Sequence, residues 1–249
     1  MPIHYARALT APARSQRANR HLGFALAFIA GASNAGGFLA VRQYTSHVTG
    51  MVSSVADNLV LGAGDLVLDA CGAVLSFLLG AACTAIMVNH ARRRRLASEY
   101  ALPLLFEAML LLAFGVLGAR LAGVDALFVP ATVMLLCFMM GLQNALITKI
   151  SHAEIRTTHM TGIVTDIGIE LGRMLYWNRD PAQPKVAANH ARLRLLLSLL
   201  LGFFSGGVAG ALGFKHAGYL ATLPLACVLC LLAIVPAVDD LRRLAPRQT

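Results

Sequence analysis

Two nearly identical segments carry the residues best suited to chemistry in this chain. The first copy occupies 45–53 (TSHVTGMVS) and the second occupies 157–165 (TTHMTGIVT). Their hydroxyl groups donate and accept hydrogen bonds, and their histidines can bind a solute, carry a proton or donate to a carbonyl. We find no nucleophile beside a base and no cluster of ligands at metal spacing. The pattern therefore predicts a binding or permeation site rather than an enzyme, with no metal and no cofactor.

Each copy follows an apolar segment that contains a Gly-x-x-Asn-Ala sequence, at 31–35 in the first half and at 141–145 in the second. Asn34 and Asn144 fall late in these segments, where an unpaired amide is costly. We therefore expect each to contact a solute or to hold a neighbouring helix. We also expect the nearby glycines to let the helix unwind there. Duplication of both elements indicates that the chain consists of two related halves.

A helix that starts inside a membrane after a polar break has backbone N–H groups without partners. Ser46 or Thr45, and in the second copy Thr158 or Thr157, are suitable N-caps for such helices. The partial positive charge of the helix start favours an anion or an electronegative group. The predicted binding residues are Asn34, Ser46, His47, Thr49, Gly50, Ser53, Asn144, Thr158, His159, Thr161, Gly162 and Thr165. The alternative, in which these residues only satisfy the broken backbone, stays open.

Acidic residues inside the apolar segments are candidates for coupling transport to a proton or another cation. Asp57 and Asp166 are the preferred pair, because each lies in the helix that follows a motif copy. A simpler role for Glu170 is an ion pair with Arg173, three residues later. Asp69 and Glu107 lie near the ends of their spans, where we expect solvent to reach them.

The composition indicates a membrane protein. Of the 249 residues, 57% are hydrophobic and 13% are charged, and the mean hydropathy is +0.68. Soluble domains carry about 25% charged residues. The net charge of +9 lies in blocks that flank the apolar runs, which predicts cytoplasmic loops and not nucleic-acid binding. All five cysteines lie inside apolar runs, where packing is their expected role.

The apolar runs predict six full transmembrane helices and two shorter helical pieces. The predicted spans are 21–41, 66–90, 101–121, 126–148, 195–214 and 217–237, and the short pieces are 48–64 and 158–175. If both pieces crossed the membrane, the arginine run at 92–95 would face the outside, against the positive-inside rule. If both dip in and return, every large basic block falls in the cytoplasm. Three spans per half then insert the halves in opposite orientations, the inverted repeat typical of secondary transporters.

The predicted fold class is therefore all-α: a polytopic membrane protein with six full transmembrane helices, two re-entrant or half-helix segments and an inverted internal repeat. Its predicted parts are a basic cytoplasmic tail (1–20), a first membrane repeat (21–121), a second membrane repeat (126–237) and a basic cytoplasmic C-terminal tail (238–249). A further similarity, SFLLG at 76–80 and SLLLG at 198–202, extends the repeat. No signal-peptide pattern precedes the first span, because its apolar run is long and carries the first motif.

The Gly-x-x-Asn-Ala segment, the Thr-Ser/Thr-His-x-Thr-Gly block, its second copy and the glycine-rich fifth span resemble the YoaK-like family of bacterial membrane proteins, a family of unknown function. The resemblance covers about 20–237, and 141–162 is its more specific part. It implies a multi-pass protein of the bacterial inner (plasma) membrane. It does not supply a substrate.

Together these features predict a secondary transporter that moves a small polar or anionic solute through a site between the two motif copies. A passive channel on the same architecture and a non-transporting membrane scaffold are the alternatives. The expected partners are membrane lipid and the solute, with no nucleic acid. The small-residue spacing of Gly206 and Gly210 predicts close helix packing in the bundle, with a homo-oligomer face as the alternative.

Overall fold

The computed structural model describes residues 16–96, 99–121, 125–151, 158–179 and 183–244. In that part of the chain the fold is all-α, with no strand. In chain order the helices are α1 (Gln16–Val41), α2 (Val48–Val60), α3 (Gly64–Arg93), α4 (Ala101–Leu121), α5 (Asp125–Ile150), α6 (Met160–Leu175), α7 (His190–Ala217) and α8 (Thr222–Leu244), with a 3-10 turn at Gly218–Ala221 before the last.

Five stretches of the described residues are long and apolar enough to cross a membrane. Four of them fall on α1, α3, α4 and α5. The fifth, His190–Val235, is 46 residues long and includes α7, the 3-10 turn and most of α8. The short helices α2 and α6 have 13 and 16 residues and do not qualify. The predicted all-α class and the presence of several apolar membrane helices are therefore confirmed.

The predicted helices are all present in the predicted order, and their ends differ by a few residues. α1 begins at Gln16 rather than near 21, and the short piece predicted at 48–64 ends at Val60. Gly62 then reverses the chain with a φ of 73°, a left-handed conformation that favours glycine. The turn between α2 and α3 therefore covers residues 61–63, a few residues before the break that the sequence indicated.

The helices that carry the Gly-x-x-Asn-Ala sequences are unbroken. α1 and α5 run through these sequences without irregular backbone, so the expected unwinding is wrong. The glycines instead allow close helix contact. A Cβ on Gly31 would collide with the carbonyl oxygen of Phe203, and a Cβ on Gly141 would collide with that of Phe77. Helix packing, and not helix distortion, explains why glycine stands at these two positions.

Helices from the two halves pack against each other in a repeated pattern. α1 packs along α7, α3 packs along α5, and α4 packs along α8. Each short helix lies on the long helix that follows it, α2 on α3 and α6 on α7. The main hydrophobic core draws most of its side chains from α1, α4, α5, α7 and α8. Every long helix therefore has its main partner in the other half of the chain.

A Phe-x-x-Gly sequence lies on each of the four helices that form the two largest crossings. The copies are 28–31 on α1, 77–80 on α3, 138–141 on α5 and 203–206 on α7. At both crossings the glycine of one helix lies against the phenylalanine carbonyl of the other, and the relation is reciprocal. Any side chain at these glycines would meet backbone atoms, so the helices approach as closely as their residues allow. Gly210 lies equally close to α1, which confirms the packing role of the fifth-span glycines.

These contacts correct the predicted alignment of α3 with α7, the third helices of the two halves. The SFLLG and SLLLG sequences predict that Gly80 corresponds to Gly202. The crossings instead place Gly206 in the equivalent position. Gly80 meets the carbonyl of Phe138, and Gly206 meets the carbonyl of Phe28, whereas Gly202 makes only ordinary contacts at 3.7 Å or more. The predicted alignment is therefore one helical turn too early.

The last helix of each half contains the same three residues in its first turn. Residues 102–104 of α4 and 223–225 of α8 both read Leu-Pro-Leu in the first turn of the helix. Proline is tolerated there because the first amide groups of a helix have no partner within it. The match places Glu107 of α4 at the position of Val228 in α8.

Candidate functional site

The two motif copies form the breaks between a long helix and a short one. α2 begins at Val48 and α6 begins at Met160, so His47 and His159 occupy the N-cap positions. Neither histidine side chain caps its helix. In the first hydrogen bond of each helix, the histidine carbonyl accepts from the amide of the residue four positions later, Met51 or Ile163. The three amide groups before that residue have no partner inside the helix and can donate to a ligand.

The hydroxyl residue before each histidine bonds to the asparagine of the preceding long helix. The Ser46 hydroxyl donates to Asn34 Oδ1 at 3.0 Å, and the Thr158 hydroxyl donates to Asn144 Oδ1 at 2.6 Å. The prediction that Ser46 and Thr158 are N-caps is therefore wrong. Their hydroxyls attach each break to its long helix, and the asparagines hold the motif in place.

The other two N-cap candidates do not change this result. Thr45 is buried, and its hydroxyl oxygen has no hydrogen-bond partner among the described residues. Thr157 lies outside the described residues. The starts of both short helices are thus left without a side-chain cap in the described part of the chain.

Each motif glycine makes room for the histidine three positions before it. A Cβ on Gly50 would collide with Nδ1 of His47, and a Cβ on Gly162 would collide with Nδ1 of His159. Each imidazole therefore lies against the first turn of its own helix. The motif glycines therefore leave room for the histidines, and neither glycine lines the central cavity.

Both motif copies line one cavity, called the central cavity here, which has a volume of about 440 Å³. This volume is within the range of small-molecule sites. The predicted binding residues that line it are Asn34, Ser46, His47, Thr49, Asn144, Thr158, His159 and Thr161. Gly50, Ser53, Gly162 and Thr165 do not line it. None of the residues that the structure describes around this cavity is acidic.

Two further cavities adjoin the central one. The α2 cavity, of about 410 Å³, lies between α2 and the first turns of α3 and α5. The α6 cavity, of about 610 Å³, lies between α6, the first turns of α7 and Arg20 of α1. His47 lines both the α2 cavity and the central cavity, and His159 lines both the central cavity and the α6 cavity. Tyr44 is likewise shared by the first two cavities and Thr161 by the last two, so the three cavities form a series.

The remaining motif positions fall on this series or outside it. Gly50 lines the α2 cavity, and Gly162 and Thr165 line the α6 cavity. Ser53 is exposed and lines none of the three cavities. Of the hydroxyl residues predicted within each short helix, only the first threonine therefore lines the central cavity.

A family model described as a protein of unknown function (DUF1275) matches residues 22–235, which extend from α1 into α8 and contain both motif copies. The chain belongs to this family. The YoaK-like resemblance is thereby confirmed, because the YoaK-like proteins are part of DUF1275. No curated protein and no solved structure matches the chain.

In this DUF1275 protein the two preferred coupling carboxylates lie away from the central cavity. Asp57 is exposed on α2 and lines none of the three cavities. Asp166 lines the α6 cavity and forms an ion pair with Arg192 of α7 at 2.9 Å. The structure therefore brings neither carboxylate to the place where the two motif copies meet.

The two acids expected near span ends differ from each other. Asp69 is exposed on α3 and lines the α2 cavity, as expected. Glu107 is 0% exposed, because α4 packs against α8 and α5. The expectation that solvent reaches Glu107 is therefore wrong for this structure.

Glu170 attaches α6 to the start of α7. Its Oε1 accepts from Arg173 at 2.9 Å, and its Oε2 accepts from the amide of Asn189 at 2.7 Å. The side chain is 1% exposed, and the predicted pair with Arg173 is confirmed. Asn58, the equivalent residue of α2, bonds instead to Ser54 of its own helix. The second short helix is thus fixed to its neighbour by a buried charge, and the first is not.

Replacing Glu170 with glutamine is expected to lower stability by about 2 kcal/mol, because a buried bond to charged groups is lost. In a protein of this size that is a fall of roughly 4–8 °C in the midpoint of thermal unfolding in detergent. Asp166→Asn is the matched control on the same helix. It removes a pair whose side chains are 38% and 50% exposed, so its effect should stay below about 1 kcal/mol. Equal effects of the two changes would contradict the anchoring role of Glu170.

Sequence reasoning missed the aromatic wall of the central cavity. Phe77 and Phe203, from the Phe-x-x-Gly sequences of α3 and α7, line it together with Tyr44. The signal was present, because the sequence occurs on each helix of the two main crossings. It was missed because the alignment of Gly80 with Gly202, one turn before Gly206, set Phe77 and Phe203 out of register. The described residues contain no group of three or more His, Cys, Asp or Glu side chains that could hold a metal ion.

Proposed function

We propose that the protein is a secondary transporter that moves a small polar or anionic solute through the central cavity. The observation that carries this proposal is that both motif copies, one from each half of the chain, line the same cavity. Transporters built from repeats place their solute site at the interface between the repeats. A site formed by equivalent segments of two halves is of that kind.

The proposed architecture has six crossings and two half-helices, in halves of opposite orientation. A helix of 13 residues, like α2, is about 20 Å long and is shorter than the hydrocarbon core of roughly 30 Å. The 46-residue stretch His190–Val235 has length for two crossings joined by the 3-10 turn. The reciprocal Phe-x-x-Gly crossings support a two-fold relation between the halves. With the 92–95 arginines in the cytoplasm, both termini also lie on the cytoplasmic side of the inner membrane.

The groups around the central cavity favour an anion or the electronegative part of a polar molecule. The starts of α2 and α6 reach the cavity through Val48 and Met160, and both bring amide donors and partial positive charge. Thr49 and Thr161 add hydroxyl groups. Since no described acidic side chain lines the cavity, nothing there repels a negative charge.

The two histidines have the positions of gates. His47 stands between the α2 cavity and the central cavity, and His159 stands between the central cavity and the α6 cavity. A secondary transporter opens its site to one side at a time. Movement of one imidazole away from its glycine would open one junction while the other stays closed. The His-x-x-Gly spacing in both copies supports this arrangement.

Uptake by purified protein in liposomes tests the proposal. Solutes are first chosen by a thermal-shift screen of inorganic anions, small carboxylates and small neutral polar compounds, because a ligand that binds the folded state raises its melting temperature. We expect at least one of these compounds to raise the melting temperature and to enter proteoliposomes faster than protein-free liposomes. Protein that neither binds nor moves any of them would contradict the proposal.

A passive channel is the second candidate, because three adjoining cavities in series also suit continuous permeation. A pH gradient across the proteoliposome membrane distinguishes the two. Accumulation of the solute above its equilibrium concentration when the gradient is applied supports the transporter. Uptake that ignores the gradient and stops at equilibrium supports the channel.

A further inference from the structure

Glu107 is a carboxyl group enclosed within the helix bundle. Its side chain is 0% exposed, and neither of its oxygens has a hydrogen-bond partner among the described residues. It lies on the buried face of α4 with Leu104, Ala108 and Leu111. α4 packs against α8, α5 and α3, so protein atoms, and not lipid alone, surround the carboxyl group.

No hydrogen bond within the described residues gives the Glu107 carboxyl group a structural role. The Leu-Pro-Leu sequences align Glu107 with Val228 in the equivalent helix of the other half, but Val228 is 41% exposed. The two positions therefore differ in environment, and only Glu107 is enclosed by other helices. A partnerless carboxyl group in an apolar interior costs free energy that valine does not. A structural role alone gives no reason for the glutamate.

Contacts of α4 fix which residues lie beside Glu107. Phe106 meets Phe138 of α5 edge-on, with ring centroids 6.0 Å apart. A Cβ on Gly115 would collide with the hydroxyl of Thr222 in α8. α4 and α8 therefore run in opposite directions, with the end of α4 beside the start of α8.

The titratable residues at the level of Glu107 on these neighbouring helices are thiols. Counting along the helices from these two contacts gives Cys137 on α5 and Cys230 on α8. Thiols are uncharged at neutral pH. No described basic side chain bonds to the carboxyl group. Among the described residues no charged group or hydrogen-bond donor therefore stabilises a negative charge on Glu107, and a neutral acid is the form that this site accommodates.

We propose that Glu107 is a proton-binding site that couples transport to a proton. Its carboxyl group holds a proton in this structure and releases it in another conformation, which leaves a carboxylate and a free proton. The coupling role rests on the proposed transport function. Glu107 is thus a third candidate for the coupling carboxylate beside Asp57 and Asp166, and none of the three lines the central cavity.

Two helix contacts, α4 with α5 and α5 with α3, connect Glu107 to the solute site. Phe106, the residue before it, packs on Phe138 of α5. The carbonyl of Phe138 meets Gly80 at the crossing of α3 with α5, and Phe77 at the same crossing lines the central cavity. A charge that appears at Glu107 would draw in water or a cation and move α4 against α5. Such a movement would reach the central cavity through α5 and α3, because Phe77 of α3 lines it.

Infrared spectroscopy of the purified protein tests the proton itself. At neutral pH we expect wild-type protein to show the C=O stretch of a protonated carboxylic acid, and we expect Glu107→Gln to lack it. Glu170→Gln is the matched control, because Glu170 is held by Arg173 as a carboxylate and its removal should leave the band. Glu107→Val, which fills the buried position with an apolar side chain, replaces the glutamine variant if that variant does not fold. Absence of the band from wild type, or its persistence without Glu107, overturns the proposal.

Uptake measurements separate the coupling role from the proposed function. The infrared result needs no solute, so it decides on the bound proton even if no transported solute is found. Where a solute is known, Glu107→Gln should take it up equally fast with and without a pH gradient, while exchange of labelled solute continues. Full stimulation by the gradient in this variant would overturn the coupling role. Wild-type protein that moves no solute would instead contradict the transport proposal.

Discussion

Replacing Thr49 with aspartate is expected to reduce uptake of an anionic solute at least about tenfold, which corresponds to roughly 1.4 kcal/mol. Thr49 lines the central cavity at the start of α2. A carboxylate there would occupy the amide donors and repel an anion. The same carboxylate lies in the first turn of α2, where the helix dipole favours it, so the protein should remain folded. Initial uptake rates in proteoliposomes, together with the melting temperature, measure the two effects separately.

The matched control for this change is Ser53→Asp. Ser53 lies one turn further along α2, is exposed and lines none of the three cavities. Asp57, one turn beyond it, already places a carboxylate on that exposed surface. We expect Ser53→Asp to keep uptake within about twofold of wild type, a difference of less than 0.5 kcal/mol. If both changes reduce uptake equally, the central cavity is not the solute site.

Replacing Gly141 with alanine is expected to lower stability by about 3 kcal/mol, the upper part of the range for overpacking. The added Cβ would meet backbone atoms of Phe77, which cannot rotate away as a side chain can. α3 and α5 must then separate along their crossing. In a protein of this size we expect the melting temperature in detergent to fall by roughly 6–12 °C.

Gly168→Ala supplies the comparison, because it makes the same chemical change in α6 where nothing lies within 4 Å of the new Cβ. Alanine is the better helix former by about 1 kcal/mol. The melting temperature should therefore stay constant or rise slightly. A Gly141→Ala protein as stable as wild type would show that the helices are not held at the distance described.

The order and type of the helices could be predicted because they follow from composition and length. Charged blocks separate apolar runs long enough to be helices, and the two motif copies mark where a long helix stops. The meeting of both copies at one cavity was also expected, from the pairing of two halves. These features depend on patterns that persist over many residues, and such patterns are the most reliable signals in a sequence.

The local geometry of the motif could not be predicted, because several residues compete for each role. Serine and threonine before a helix are good caps, yet Ser46 and Thr158 bond to asparagines that are distant in sequence. Which partner a hydroxyl selects depends on where the preceding helix lies. The same holds for Gly31 and Gly141, whose role follows from the carbonyl that another helix places opposite them.

Burial of single charged residues was the least predictable feature. Glu107 stands near the start of its helix, a place where solvent is usually near. Its enclosure results from α8, whose sequence lies at the other end of the chain. Asp57 lies deep within its short helix by sequence, and yet it is exposed. In both cases the surrounding helices, and not the residue's own segment, determine its environment.

Each long helix packs mainly against a helix of the other half, and this affects the order in which the protein assembles during synthesis. α1 enters the membrane first, but the face that carries Gly31 stays uncovered until Phe203 and Gly206 of α7 have been synthesised. The insertion machinery or the lipid must shield that face in the meantime. Contacts between segments so far apart in sequence form late, so the final helices of the chain complete the assembly rather than extend it.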